Sequence, residues 1–257
     1  MMPAQPVGAA CQPSAPKKKP RGLSGSALKL IAIVAMTVDH ATWVFLPGYR
    51  TDGLTLALHM AGRLAAPIMM FFIAEGYHYT RDVKKYVGRM LAFAVVSHFG
   101  YALLFNKPLI PFQVLAFNQS GILWALAMGL ISLAVYHSER LRTWQKCAVI
   151  GLCLLIAYPA NWSTPAAAAV LFMGIFRGNF KKQMLGLVLC VAAYAVIYVH
   201  TIHPLYGLMQ MAVVLAIPLL RCYNGQRGAG GKGMRWIFYV YYPAHMFILA
   251  YVKLYIL

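Results

Sequence analysis

Asp39 and His40 stand side by side in the apolar run LKLIAIVAMTVDHATWVFLP, which is long enough to cross a bilayer as helix. An ionisable side chain at membrane depth costs about 2.5 to 3.5 kcal/mol even on a lenient insertion scale, so it marks a functional site by default. Counted back from Pro47 at about 1.5 Å per residue, the pair sits on the order of 10 Å below the nearer surface. Neither short side chain reaches water from there. The two point about 100° apart on a helix, so both can border one cavity while neither pairs well with the other. Their partners must come from other segments.

Few candidates exist. Arg63 precedes the apolar part of AGRLAAPIMMFFIAEGYHYTRDVKKY, where a guanidinium can either snorkel to water or fork onto the Asp39 carboxylate. Glu75 lies nearer the other end of that run, followed by Arg81 and Asp82, and suits a structural cap as well as a substrate contact. His98 falls at a depth like that of His40, and His245, in YYPAHMFIL, near the middle of the last run. His59, His200 and His203 lie near one membrane boundary and say less; His78 and His137 lie at the other, where an interfacial role is expected. A neutral imidazole beside a carboxylate suits proton abstraction from a nucleophile, and the same parts suit proton transport. No P-loop, G-x-G-x-x-G, H-E-x-x-H or G-x-S-x-G is present, which argues against ATP-driven work and against zinc or serine hydrolysis by local motifs.

These side chains need a scaffold, and composition says which kind. The chain of 257 residues is 61% hydrophobic and 11% charged, with a mean hydropathy of +0.65. That excludes a water-soluble globule. Apolar runs at 28–46, 64–79, 86–105, 121–136, 147–160, 165–176, 184–201, 204–220 and 236–255 predict an all-α, polytopic transmembrane bundle of about nine spans. The runs at 147–160 and 165–176 are short enough to form one broken hairpin, and 54–60 reads as an interfacial or re-entrant helix. Residues 1–26, rich in Pro, Ala, Ser and Gly and ending in a basic run, read as a disordered tail, leaving 27–257 as the membrane domain. With nine alternating spans, all of the 23 Lys and Arg except Arg50, Arg63, Lys107 and Lys253 fall on the side of that tail. The positive-inside rule then places the N-terminus in the cytoplasm and the C-terminus in the periplasm. The formal charge of +18 comes with five acids only. Bases in short clusters between apolar runs, without a basic helix face, argue against nucleic acid as a partner and for the lipid bilayer. Cys11, Cys147, Cys153, Cys190 and Cys222 show neither a disulfide framework nor metal spacing, so no metal is expected.

LKLIAIVAMTVDHATW, then GRLAAPIMMFFIAEGYHYTRDVKKYVGRMLAFAVVSH and later FYVYYPAHMFILA resemble the TraX family, which includes TrbP-like proteins of conjugative plasmids. The first two blocks fill most of the first 100 residues; the third is weaker, and 105–235 shows little beyond hydropathy. The resemblance implies a bacterial inner-membrane enzyme that acetylates the N-terminus of a conjugative pilin subunit with cytoplasmic acetyl-CoA. The matching positions are Asp39 and His40, Arg63, Glu75 and His245. In that reading His40 is the base, Asp39 fixes its ring, and Arg63 or His245 stabilises the oxyanion. Glu75 and His98 contact substrate, while Arg81, Lys84 and Lys85 offer charge to the phosphates of CoA. Three alternatives stay open: an acyltransferase with a sugar or another peptide as acceptor, a proton-coupled transporter, and a non-catalytic pilin assembly factor.

Overall fold

The computed structural model describes residues 22–228 and 231–257. Most of the expected tail lies outside the described residues. Its last residues do not behave as a tail: the Leu23 amide donates to the Cys222 carbonyl at 2.7 Å, and the Ser24 side chain accepts from the Ala27 amide. Ser24 is thus an N-cap that starts the first helix at Gly25.

Eleven helices follow: α1 (Gly25–Phe45), α2 (Gly53–Gly62), α3 (Ala65–Tyr79), α4 (Val83–Phe105), α5 (Ile122–Tyr136), α6 (Thr143–Ala157), α7 (Ser163–Ile175), α8 (Phe180–Thr201), α9 (Pro204–Met209), α10 (Ala216–Arg221) and α11 (Gly231–Tyr255), with a 3₁₀ stretch, Gln210–Leu215, between α9 and α10. Among the described residues there is no strand, only isolated bridges at Leu23–Tyr223 and Ser120–Ala160.

Five stretches are long and apolar enough to cross a membrane: α1, α2 with α3, α4, α8, and Pro204–Arg221. The count of nine is therefore not supported by length and apolarity. Four expected spans are not among them: α11, which is long enough at 25 residues, and the short α5 and α6, of 15 residues each, and α7, of 13. At about 1.5 Å per residue α5, α6 and α7 fall short of the roughly 30 Å of hydrocarbon. The segment 54–60, expected as an interfacial or re-entrant helix, falls in α2, which joins α3 through a tight turn where the Arg63 amide donates to the carbonyls of His59 and Met60.

Small residues let these helices approach closely, as membrane bundles require when lipid is as apolar as the side chains. A Cβ added at Gly129 of α5 would meet the Ala167 carbonyl oxygen at 2.7 Å and Val170 Cβ at 2.8 Å, both on α7. One added at Gly100 of α4 would meet Met246 of α11 at 3.0 Å. The centre of the bundle is correspondingly dense in small and aliphatic side chains, with Ala125, Leu126, Leu130, Ala167, Ala169 and Val170 fully buried.

Replacing Gly129 by Val should destabilise the bundle by about 1 to 3 kcal/mol through overpacking. Gly151→Ala, where nothing lies within 4 Å of the added carbon, should leave stability unchanged or slightly raised. Thermal unfolding in detergent compares the two.

Candidate functional site

Between α1, the α2–α3 turn, α5, α8, the 3₁₀ stretch and α11 lies a cavity of about 240 Å³. Asp39, His40, Arg63, Lys107, Asn118, Asn161 and Gln210 contribute its polar groups. Its walls combine aromatic side chains (Trp43, Tyr49, Trp162, Tyr194, Tyr198, Tyr206) with aliphatic ones (Ile33, Met69, Leu126).

Asp39 is the hub. Its Oδ1 accepts from His59 Nδ1 at 2.8 Å and from Arg63 Nη2. Arg63 is held twice more, Nη1 donating to Gln210 Oε1 at 2.8 Å and Nε to the His59 carbonyl at 3.2 Å, and its guanidinium lies 5.8 Å from the Trp162 ring centre. Helix geometry explains the pairing. His59 and Arg63 are four residues apart, so both side chains reach the same neighbour on α1. Gly62 makes the approach possible, because a Cβ there would run into Asp39. The carboxylate and guanidinium are 13% and 11% exposed, and a pair so buried persists only with its remaining hydrogen-bonding groups satisfied.

His40 is not held by Asp39, against the expectation. Its Nδ1 lies 2.8 Å from Nε2 of His245, and His245 Nδ1 lies 2.9 Å from the Tyr241 carbonyl. A carbonyl can only accept, so His245 carries its proton on Nδ1 and its Nε2 is an acceptor. His40 Nδ1 must then donate, and the lone pair of His40 is left on Nε2. The tautomers are assigned from this network. Tyr241 stacks on the His245 ring, centres 5.1 Å apart, and Phe105 and Tyr242 meet His40 edge-on at 6.0 and 6.5 Å. Two aligned rings thus present one unprotonated nitrogen in a cavity that also holds a fixed cation.

Two expected site residues lie elsewhere. His98 binds the Ser120 hydroxyl and donates Nε2–H to the Leu109 carbonyl, each at 3.2 Å, so it braces the 106–121 loop. It is not among the cavity residues. Glu75 accepts from Arg177 at 3.0 and 3.3 Å near the His78–Gly174 contact, again apart from the cavity, which makes it a strut between α3 and the end of α7. Arg81, Lys84 and Lys85 are exposed at the start of α4, where Lys85 lies 3.4 Å from Asp82. The Lys85 amide holds the Asp82 carboxyl below its usual range as it caps the helix. Sequence reasoning passed over His59, Gln210, Lys107 and the tyrosines. The His59–Arg63 spacing was the available signal for the first. Among the described residues no group of three or more His, Cys, Asp or Glu is arranged to hold a metal ion.

The family model described as TraX protein matches residues 24–253. The chain is also similar to the probable fimbrial assembly protein FimC, serogroup H1, of Dichelobacter nodosus, at 29% identity over 238 residues, covering 89% of this chain and 95% of that protein. No solved structure matches.

Removing one partner of the buried pair leaves an uncompensated charge, so Asp39→Leu and Arg63→Met should each destabilise the protein by about 3 to 5 kcal/mol. The double variant should lose clearly less than the two singly added, a coupling that thermal unfolding in a double-mutant cycle reads directly.

Proposed function

We propose that this chain, which belongs to the TraX family, is a membrane acetyltransferase that modifies the N-terminal amine of a pilin subunit with acetyl-CoA. A role in pilin assembly or modification is supported by the family and by the fimbrial assembly relative. The observation that carries the finer reading is the His245–His40 pair, which leaves His40 Nε2 as a free base on the cavity wall.

Acetyl-CoA supplies an activated thioester carbonyl. His40 Nε2 takes the proton from the acceptor amine as nitrogen bonds to that carbon, and returns it to the thiolate as the C–S bond breaks. Arg63 uses three of its five N–H groups on Asp39, Gln210 and the His59 carbonyl; the remaining two are available to an oxyanion. A cavity of about 240 Å³ suits the acyl end of acetyl-CoA and not the whole molecule. The exposed Arg81, Lys84 and Lys85 are where its phosphates would be held, on the cytoplasmic side of the inner membrane. In this orientation a processed pilin N-terminus reaches the cavity from the periplasm.

A non-catalytic assembly factor is the second reading, favoured by the printed name of the relative. The intact mass of pilin separates the two. An acetyl increment that appears only with this protein supports the enzyme; an unchanged mass with an altered pilin level supports the factor.

His40→Ala should lower acetyl transfer by about 10² to 10⁴ at normal protein level. His245→Ala should lower it less, because the base survives without its tautomer fixed. His78→Ala, remote from the cavity, should leave the rate unchanged. Quantitative mass spectrometry of pilin measures all three.

In the proposed orientation, with the basic loops in the cytoplasm and the C-terminus in the periplasm, alkaline phosphatase fused after Leu257 should be active. An inactive fusion with an active cytoplasmic reporter at the same site overturns the orientation.

A further inference from the structure

The cavity holds one cation that the acetyl-transfer chemistry leaves unused. Lys107, just past the end of α4, is partly buried and lines the cavity. Its amine makes no hydrogen bond or ion pair among the described residues. The whole chain has only five acids, so the search for a counter-ion can be completed. Asp39 is bound to Arg63 and His59, Asp52 to Arg50 at 3.0 Å, Glu75 to Arg177 at 3.0 Å and Asp82 to Lys85 at 3.4 Å. Glu139 lies between α5 and α6, at the other end of α5 from the loop that bears Lys107. Among the described residues no carboxylate lies within ion-pair distance of Lys107. Burial alone lowers its pKa, as expected of an amine removed from water without a partner.

A second free donor faces the same space. Asn118 lines the cavity with a left-handed backbone, φ +63°, a conformation that Asn tolerates better than most residues. Its Oδ1 accepts from the Tyr101 hydroxyl at 2.6 Å and from Asn161 Nδ2 at 2.8 Å. The amide orientations are assigned from this network, in which the Tyr101 hydroxyl and Asn161 Nδ2 both donate to Asn118 Oδ1. Asn118 Nδ2 is thereby left with both hydrogens unshared among the described residues. Lys107 and Asn118 are the two feet of the loop between α4 and α5. That loop is pinned to the α6–α7 turn by Gln119 and Ser120 amides donating to the Pro159 carbonyl at 2.7 and 3.0 Å, and by the Asn161 amide donating to the Ser120 carbonyl at 2.6 Å. The site is built and held, with the Lys107 ammonium and Asn118 Nδ2 as its unshared donors.

We propose that Lys107 and Asn118 bind an unreacted oxyanion, a carboxylate or phosphate, that anchors the acceptor while its nucleophile reaches His40. This rests on the acyl-transfer reading for the role of His40, but binding of the anion does not depend on turnover. The oxyanion has two sources with the same chemistry: an acidic side chain next to the acceptor amine, or a phosphate monoester of the kind found in lipid headgroups.

The test is titration calorimetry on the purified full chain in phosphatidylcholine nanodiscs, without acetyl-CoA. The probes are the dipeptide amides Ala-Glu-NH₂ and Ala-Gln-NH₂, and glycerol 3-phosphate against glycerol. A charged probe should bind about tenfold tighter than its neutral counterpart. The preference should vanish in Lys107→Met and survive in Lys107→Arg, with both variants melting as the parent does. A Lys107-dependent gain for the glutamyl peptide assigns the carboxylate source; one for glycerol 3-phosphate assigns the phosphate source. Equal binding of charged and neutral probes, or a preference that Lys107→Met leaves intact, overturns the proposal. Loss of acetyl transfer alone would touch only the enzymatic reading.

Discussion

One carboxylate in the bundle, that of Asp39, constrains everything around it. It cannot remain charged at that depth without a cation, and Arg63 cannot give up its proton, so the two must meet. Meeting requires α1 and α2 to touch, which Gly62 permits by having no Cβ where Asp39 sits. It also requires the helix to break after Gly62, so that Arg63 falls in the α2–α3 turn and points inward. Gln210 completes the shell with a bond to Arg63 Nη1 at 2.8 Å, which ties in the 3₁₀ stretch, Gln210–Leu215. A polar quartet thereby fixes the relative positions of three segments that apolar packing alone would let slide.

The same constraint settles the state of His40. Because Arg63 and His59 occupy the Asp39 Oδ1, and because adjacent helical residues diverge by about 100°, the neighbouring imidazole needs a partner from another helix. It takes His245 of α11. A neutral ring thus polarises the base, and the chain of protons ends on the backbone carbonyl of Tyr241. A carboxylate in that place would have made His40 more basic and favoured its charged form. The two-ring arrangement instead fixes its tautomer through neutral partners.

The elements that depend on long apolar runs were legible from residue order: α1, α4 and α8 begin and end within a few residues of the runs that predict them. The runs behind α6 and α7 already read as too short for full crossings, whereas α5 did not stand out from one, since hydropathy registers apolarity and not how an element is buried among its neighbours. The run 204–220 reads as one span yet contains α9, a 3₁₀ turn and α10. Nothing local announces that change except Gln210, a polar residue inside an apolar run whose role depends on a guanidinium 147 positions away. At the site, Asp39, His40, Arg63 and His245 stood out because ionisable groups in apolar runs are rare. His59 was discounted for lying near a boundary, although its i, i+4 spacing to Arg63 marked it. His98 and Glu75 satisfied the same depth criterion and proved to be braces, because depth does not specify direction around a helix. Lys107 and Asn118 come from a loop whose path is set by contacts with the α6–α7 turn, which no local pattern encodes.

Acyl transfer separates charge as it proceeds: positive on the base, negative on the carbonyl oxygen. In a low-dielectric cavity that separation is costly unless oriented dipoles are already present. The Asp39–Arg63 pair supplies one with no net charge, its guanidinium held by three acceptors before any substrate arrives. The His40–His245 pair supplies the other, with a second ring aligned to share the developing positive charge. In the proposed acetyl transfer, Asp39 therefore acts through Arg63 and not through His40. Its contribution is to hold a cation at membrane depth where water cannot, which is a reason for a membrane protein to bury an acid when it has so few.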